Sequence, residues 1–241
     1  MKGVRLHHPS KAVRISRDDG GKMSAVRVEH ASGAQHKIPC TRLLITAGAW
    51  TQSVFDTLFP EAKTEIPVSR LAGHSLVVKS PRWTEEMESK GCHAIFTTMS
   101  NGLSPEAFSR TGGELWIGGV NNPEAELPEL ATEAKIDEAS RDKLLDVAKQ
   151  LLGREGEADL EVVREGVCFR PVTGSGQPIL AKILDEEMGG IKTQEAPNGG
   201  VFVAAGHGPW GISLSLGTGK CMAEMLEGGV ESADVSQLGM P

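Results

Sequence analysis

The spacing of apolar residues is most informative in the last quarter of the chain. Residues 201–205 form an apolar run between glycines, which is typical of a strand buried on both faces. Glycines recur up to Gly219, and beyond it apolar residues follow a helical spacing until Gly228 and Gly229. The pattern predicts a strand, a glycine-rich loop and the N-terminus of a helix, in that order.

Alternating patterns at the other end of the chain predict a small antiparallel meander. Apolar residues alternate with polar ones over 13–15 and again over 26–28, and Asp19-Gly20-Gly21 suits a hairpin turn between them. A continuous apolar strand at 43–45 follows. It ends in Thr46-Ala47-Gly48-Ala49-Trp50, where small residues permit close approach of the backbone to another group.

Residues 65–161 differ in composition from the segments around them. Strand-like runs lie between clusters of glycine, proline and asparagine, at 75–79, 95–98 and 115–119. The acid-rich segment 124–138 is predicted to be a solvated surface. Leucines recur on one helical face over 144–152. We therefore predict an antiparallel sheet with one packed helix.

A further strand in the C-terminal third contains the residues best suited to chemistry. Val163, Val167 and Phe169 are predicted to pack from one face of this strand, because side chains alternate along it. Cys168 and Arg170 then lie on the opposite face. An arginine offers a planar fork that can bind a carboxylate with two hydrogen bonds. An ordinary surface ion pair is the alternative for Arg170.

Composition narrows the class of protein. The 241 residues are 39% apolar and carry a formal net charge of −7, which is enough apolar content for one large or two small domains. Dispersed lysines and arginines argue against nucleic acid or an anionic membrane as partner. Four cysteines without a C-x-x-C pair argue against zinc and against a disulfide framework. Since no signal-peptide pattern or long apolar run is present, the expected location is cytoplasmic.

The glycine-rich loop admits several interpretations. Residues 206–211 fit the G-x-G-x-x-G pattern of dinucleotide-binding turns, but Pro209 falls where that helix would begin, and no acidic residue lies about 20 positions further on. A phosphate-binding P-loop fails because Leu214 and Cys221 occupy its glycine and Ser/Thr positions. A permissive loop between a buried strand and a packing helix stays open.

A family resemblance rests on this loop and the strand before it. The segment contains GHGPWGISLSLGTGK, which resembles the C-terminal flavin-binding segment of the D-amino acid oxidase and sarcosine oxidase family of FAD enzymes. In that family the loop runs along the flavin ring, and a helix start at Gly-Thr-Gly faces the edge where charge builds on reduction. The resemblance implies these flavin-binding residues: Gly206, His207, Gly208, Trp210, Gly211, Gly217, Thr218 and Gly219.

The strand that ends in Ala-Gly-Ala-Trp resembles the family strand that returns beneath the FAD after a meander. This resemblance adds Ala47, Gly48 and Trp50 to the implied cofactor-binding residues. In relatives a valine before the meander touches the adenine end of FAD, and Val13 is its counterpart here.

The resemblance implies a fold of class α/β plus α+β, with an incomplete Rossmann-like FAD-binding domain and an antiparallel-sheet substrate domain. Residues 1–64 would belong to the FAD domain, 65–161 to the substrate domain and 162–232 to a returning flavin-binding part, before a tail at 233–241. Relatives begin with a βαβ unit of about 30 residues, whose glycine-rich turn holds the pyrophosphate. This sequence contains no such unit, so we expect an incomplete FAD site.

Two residues of the C-terminal strand acquire roles from the resemblance. In D-amino acid and glycine oxidases a matching arginine before proline binds the substrate carboxylate, which implies this role for Arg170. In sarcosine oxidases the cysteine at the position of Cys168 is bonded to the flavin ring, which implies covalent FAD. A buried, unreactive thiol is the alternative for Cys168.

Other family features are missing, so the substrate and the electron acceptor do not carry over. The positions of two family lysines correspond roughly to Trp116 and Ser213, and the chain has no tyrosine. His207 is expected to position its loop and not to act as a base. No metal site is predicted, because no partner at ligand spacing accompanies His7, His8, Cys92 or His93.

The sequence therefore predicts an FAD-dependent oxidoreductase that acts on a C–N bond of an amino acid or secondary amine. The resemblance implies hydride transfer to the flavin, hydrolysis of the imine and, in an oxidase, formation of peroxide. The alternative is a catalytically incompetent fragment, which serves as an interaction module or acts with a missing N-terminal segment. The expected partner is a small amine or amino acid, with no nucleic acid or membrane.

Overall fold

The structure is a computed structural model that describes residues 3–153 and 159–240. The described strands are β1 (Ser10–Arg17), β2 (Met23–His30), β3 (Gln35–Pro39), β4 (Arg42–Ile45), β5 (Ser69–Lys79), β6 (Ala94–Phe96), β7 (Glu106–Arg110), β8 (Glu114–Asn122), β9 (Glu161–Val172), β10 (Ile179–Ile183) and β11 (Gly200–Ala205). The described helices are α1 (Thr51–Leu58), α2 (Glu85–Ser89), α3 (Glu138–Leu152) and α4 (Gly211–Leu226). They form two compact units: a first unit of Met1–Ser69 with Pro171–Pro241, and a second unit of Arg70–Arg170.

The first unit opens with the predicted meander. Strands β1, β2 and β3 pair antiparallel in sequence order. Asp18 closes the first turn, because its Oδ1 accepts hydrogen bonds from the backbone N–H groups of Gly20 and Lys22 at 3.0 and 2.9 Å. Gly21 takes a φ of 78°, which favours glycine. Ile15, Val26 and Val28 of the alternating pattern are buried on this sheet.

A three-stranded sheet forms the centre of the first unit. Its strand order is β10-β11-β4, in which β11 pairs parallel with β4 and antiparallel with β10. Every residue of β11 is buried, as the continuous apolar run predicts. Val201 and Val203 pack on the face towards the meander and α1, whereas Phe202 and Ala204 pack on the face towards α4.

The second unit contains a five-stranded sheet in the order β6-β7-β8-β5-β9. Neighbouring strands from β6 to β5 pair antiparallel. Helix α3 packs against one face through Leu144, Val147 and Ala148, which meet Leu76 and Ile117 of the sheet. Asp137 begins this helix by accepting a hydrogen bond from the Ser140 N–H at 2.9 Å.

Several elements differ from the sequence predictions. Helix α4 begins at Gly211 and not after Gly219, so the predicted glycine-rich loop is shorter and Thr218 lies within the helix. Pro209 lies in the short 3₁₀ turn that precedes α4, where its fixed φ suits the start of a helix. The helix tolerates its inner glycines, each costing about 1 kcal/mol relative to alanine, because its C-terminal turns pack in the core.

The strand β9 also differs from its prediction, and several elements were not predicted, among them β3, α2 and β10. Val163 is exposed, and Val162 packs against the core instead. The pattern gave no sign of α1 or of β7. None of the described helices is both long and apolar enough to cross a membrane.

Candidate functional site

Two glycine-containing turns meet at one edge of the central sheet. The parallel pairing of β4 with β11 sets Ile45 beside Val203, so both strands end at the same edge. The carboxyl edge of parallel strands is where α/β sheets commonly bind ligands. We call the segments that follow the two strands, residues 46–50 and 206–211, the glycine edge.

Backbone conformation at the glycine edge requires glycine at three positions. Gly48, Gly206 and Gly208 have φ values of 58°, 82° and 54°, in the left-handed region that other residues rarely adopt. A Cβ atom on Gly206 would also lie 2.5 Å from Cγ2 of Thr173. These turns are therefore fixed features of the site, and their backbone is free of side chains that would hold a ligand away.

His207 connects the turn to the helix. Its Nε2 lies 2.9 Å from Oγ1 of Thr218, at hydrogen-bond distance. Burial lowers the pKa of the His207 imidazole, because desolvation disfavours the charged form. The ring nitrogen is thus engaged within the protein, which favours a positioning role for this residue.

The first turns of α4 carry apolar side chains into solvent. Ile212 is 93% exposed and Leu216 is 88% exposed, and Trp210 before them is also exposed. Nothing lies within 4 Å of a Cβ placed on Gly217 or Gly219. The N-terminal half of α4 therefore presents an open apolar surface beside the glycine edge.

The positive end of the α4 dipole does not lie at Thr218, where the sequence predicted it. The sequence placed the helix start at Gly-Thr-Gly, but α4 starts at Gly211, about two turns earlier. Because only the first turn of a helix has unpaired N–H groups, Gly217, Thr218 and Gly219 do not supply them. Those groups belong to the turn that begins at Gly211.

The remaining cofactor candidates of the first unit lie at or near the meander. The backbone N–H of Trp50 donates to the carbonyl oxygen of Ala47 at 3.0 Å, which closes the turn around Gly48. Val13 lies at an irregularity of β1, between the paired residues Ala12 and Arg14. The parallel strands bring Ala47, Gly48 and Trp50 to the glycine edge, whereas Val13 belongs to the meander.

Arg170 belongs to the second unit, where its guanidinium group lies against Gly73. A Cβ at Gly73 would collide with that group. Nη1 of Arg170 donates to Oδ1 of Asn121 at 2.7 Å. Within residues 3–153 and 159–240, no carboxylate forms an ion pair with Arg170, so the remaining N–H groups of its fork can bind one.

Cys168 lies two residues before Arg170 and is exposed. Its Sγ atom is 3.7 Å from the carbonyl oxygen of Gly73, a weak contact for a thiol. The structure therefore does not support the alternative of a buried thiol. Both candidate residues of β9 meet the same glycine of β5.

An aromatic row on the second unit was missed by the sequence analysis. The rings of Phe96, Phe108 and Trp116 follow one another, with centroids 5.5 and 5.3 Å apart. The Trp116 ring covers Gly118, since a Cβ there would collide with it. Side-chain alternation puts Trp116 on the face opposite to Ile117 and α3. The spacing of Phe96 from the other two rings depends on strand pairing, which the sequence alone does not give.

A cleft in the first unit lies away from the glycine edge. Its volume is about 830 Å³, and it runs between β10 and the C-terminal segment, beside Leu180, Met225 and Val235. No residue of the glycine edge borders it. We give more weight to the glycine edge, because backbone conformation and strand direction converge there.

Comparison with known proteins gives one family. The family described as FAD dependent oxidoreductase matches residues 1–225. A Schizosaccharomyces pombe protein, itself only provisionally named an oxidoreductase, is 29% identical over 214 residues, which cover 84% of this chain and 46% of that protein.

Solved structures agree on the fold. Glycine oxidase from Geobacillus kaustophilus superposes with a TM-score of 0.68 at 21% identity and covers 98% of this chain and 53% of its own. Iminodiacetate oxidase from Chelativorans sp. BNC1 superposes with a TM-score of 0.63 at 16% identity and covers 96% of this chain and 52% of its own. The chain spans about half the length of these proteins. At such identities, the two structures establish the fold alone.

Proposed function

The chain belongs to the FAD-dependent oxidoreductase family, and we propose that it binds FAD at the glycine edge and oxidises an amino acid or secondary amine at a C–N bond. The parallel pairing of β4 with β11 carries this proposal. It brings two turns of left-handed glycines together, and these turns come from parts of the sequence that resemble flavin-binding segments.

The residues present fit a flat, partly apolar cofactor. Gly206 and Gly208 leave the backbone open to close approach, and Gly219, on the same face of α4 as Ile212, leaves that face without a side chain at its position. The exposed Ile212 supplies apolar surface next to them. When bound, FAD would supply the hydride acceptor for the oxidation of an amine to an imine.

The chain's own residues would orient the reaction. His207 would hold the loop in place through Thr218, since its Nε2 is already engaged with that hydroxyl. The turn at Gly211 would offer the N–H groups and positive dipole end of α4 to an anionic group. Trp210, largely exposed before α4, would contribute apolar area to the same surface.

The surroundings of Arg170 favour a substrate that carries a carboxylate. Its guanidinium is supported by Asn121 and has no ion-pair partner among the described residues. A desolvated arginine–carboxylate pair is bidentate and specific in geometry. Glycine and iminodiacetate, after which two structurally similar oxidases are named, are both amines that carry carboxylates. We assign Arg170 this role and Cys168 a covalent bond to the cofactor.

The first test needs no substrate. The visible absorption spectrum of the purified chain should show a flavin, and after acid precipitation the colour should stay with the pellet. Cys168→Ser should release the colour to the supernatant, whereas Cys92→Ser, which changes another exposed cysteine, should not. Colour that leaves wild-type protein completely would exclude covalent attachment and leave the FAD proposal intact.

A second test addresses the substrate. Flavin-containing protein should bleach anaerobically on addition of an amino acid or a secondary amine with a carboxylate. Arg170→Lys keeps the charge but loses the bidentate fork, so it should raise KM by about tenfold or more with a smaller effect on kcat. An unchanged KM would remove Arg170 from the substrate site.

The exposed apolar surface of α4 supports a second candidate function. Ile212 and Leu216 are almost fully exposed, and β4 is an edge strand among the described residues. Such surfaces are common where another polypeptide binds. In this case the chain would serve as an interaction module or act with a further segment. A colourless protein that does not take up added FAD would favour this function over the first.

A further inference from the structure

Three histidines that are far apart in sequence meet at one end of the meander. One ligand nitrogen from each of His7, His30 and His36 lies within 4.8 Å of the other two. Among the described residues, no other group of three or more His, Cys, Asp or Glu side chains meets this condition. The sequence spacing gave no partner for His7, because its partners come from β2 and β3.

Strand register explains how the cluster forms. His36 of β3 pairs with Val28 of β2, and His30 follows on the same face of β2, two residues later. The rings of His30 and His36 stack with centroids 5.0 Å apart. His7, in the segment that leads into β1, brings its ring to 5.2 Å from that of His36. Two of the three ligands are therefore held by a hydrogen-bonded sheet.

The donor set selects a class of ion. Imidazole nitrogens suit Zn²⁺, Cu²⁺ and Ni²⁺, whereas Ca²⁺ and Mg²⁺ require oxygen ligands. Tetrahedral Zn²⁺ with bonds of about 2.0–2.1 Å would hold its nitrogens about 3.3 Å apart. The separations of up to 4.8 Å would therefore close by small rotations of side chains, and His7 is exposed and free to make them.

Ser10 adds the outer contact that metal-binding histidines usually have. Its Oγ lies 3.2 Å from Nδ1 of His30, and strand pairing sets Ser10 opposite His30. This contact can fix the tautomer of His30, with Nδ1 facing the hydroxyl and Nε2 free to bind an ion. The half-buried His30 is thus oriented before an ion arrives.

From these observations we propose that His7, His30 and His36 form a binding site for one divalent transition-metal ion, of which Zn²⁺ is the best match. Three protein nitrogens leave a fourth tetrahedral position for water or an external ligand. The site lies in the first unit and is independent of the proposed flavin chemistry.

The test measures Zn²⁺ binding to the purified, tag-free chain after treatment with a chelator. Wild-type protein should bind one equivalent, by isothermal titration and by elemental analysis after gel filtration. His7→Gln should weaken binding by at least about tenfold. His8→Gln is the matched control, since His8 is the exposed neighbour of His7 and lies outside the cluster. It should bind like wild type.

Two further measurements keep the outcome clear. Co²⁺ substitution should give visible bands of a nitrogen-ligated tetrahedral ion, without a thiolate charge-transfer band. His36→Gln, checked for folding by circular dichroism, should weaken binding as His7→Gln does. The proposal is overturned if wild type binds less than one equivalent, if His8→Gln weakens binding as much as His7→Gln, or if a thiolate band shows that a cysteine is a ligand.

Discussion

The two sheets of the protein are covered differently. In the first unit, β11 is buried along its whole length, with the meander and α1 on one side and α4 on the other. In the second unit, α3 covers one face of the five-stranded sheet, while Phe96 on the opposite face is 69% exposed. One sheet is therefore a core element, and the other has a face available for binding.

The difference separates residues that stabilise the fold from residues that can act. Phe202 and Val203 are buried on opposite faces of their sheet, so packing alone explains them. Cys168 and Arg170 extend from a strand whose neighbours leave them accessible. An apolar or charged residue that the fold leaves uncovered is where a ligand can interact, as the exposed half of α4 also indicates.

The largest difference in the free energy of unfolding is expected between substitutions of two phenylalanines. Phe202 is 3% exposed, so Phe202→Ala should lower the free energy of unfolding by about 3–5 kcal/mol through lost burial and a cavity. Phe96→Ala should change it by less than about 0.5 kcal/mol. Denaturant titration of both variants measures this. Equal losses would mean that the exposed face of the second sheet is also a core.

The next effect concerns the turn after β11. Gly206→Ala introduces a Cβ at a φ of 82° and within 2.5 Å of Thr173, and should cost about 1–3 kcal/mol of unfolding free energy. Gly174→Ala is the control, since nothing lies within 4 Å of its Cβ and its φ is ordinary. The same denaturant titration applies. A neutral Gly206→Ala would show that the turn is not fixed by the packing around it.

A smaller effect of opposite sign is expected within α4. Gly219→Ala adds a methyl group where nothing lies within 4 Å and should stabilise the helix by up to about 1 kcal/mol. If FAD lies along this surface, the same variant should weaken FAD binding. Thermal melting and FAD titration read the two effects separately. Stabilisation with unchanged FAD binding would place the cofactor elsewhere.

The smallest effect expected is a change of stability with pH. His74 is 2% exposed in the second unit, and burial lowers the pKa of its imidazole. The unfolded chain takes up a proton near pH 6.5 that the folded chain resists, so stability is full above that pH and falls as the pH decreases. Melting temperatures at pH 7.5 and 5.5 should show this drop, and His74→Gln should reduce it. If the melting temperature of His74→Gln falls as much as that of the wild type, other groups cause the drop.

Much of the fold could be predicted from local pattern, and much of the site could not. The buried run of β11, the meander and α3 followed from apolar periodicity, which tertiary packing supports in each case. The predicted start of α4 was wrong. The glycines indicated a loop, but the packing of the later turns in the core stabilises a helix there. Residue spacing also missed the cluster of His7, His30 and His36, since only strand register brings them together.

The order of the chain has a consequence for folding. The parallel pair of β4 and β11 joins strands that precede and follow the entire second unit in sequence. Closing so long a loop is slow relative to local pairing. During synthesis, the second unit can complete its contacts while β4 still lacks its partner. We expect the first unit to form last, once β11 has left the ribosome, and to depend on chaperones until then.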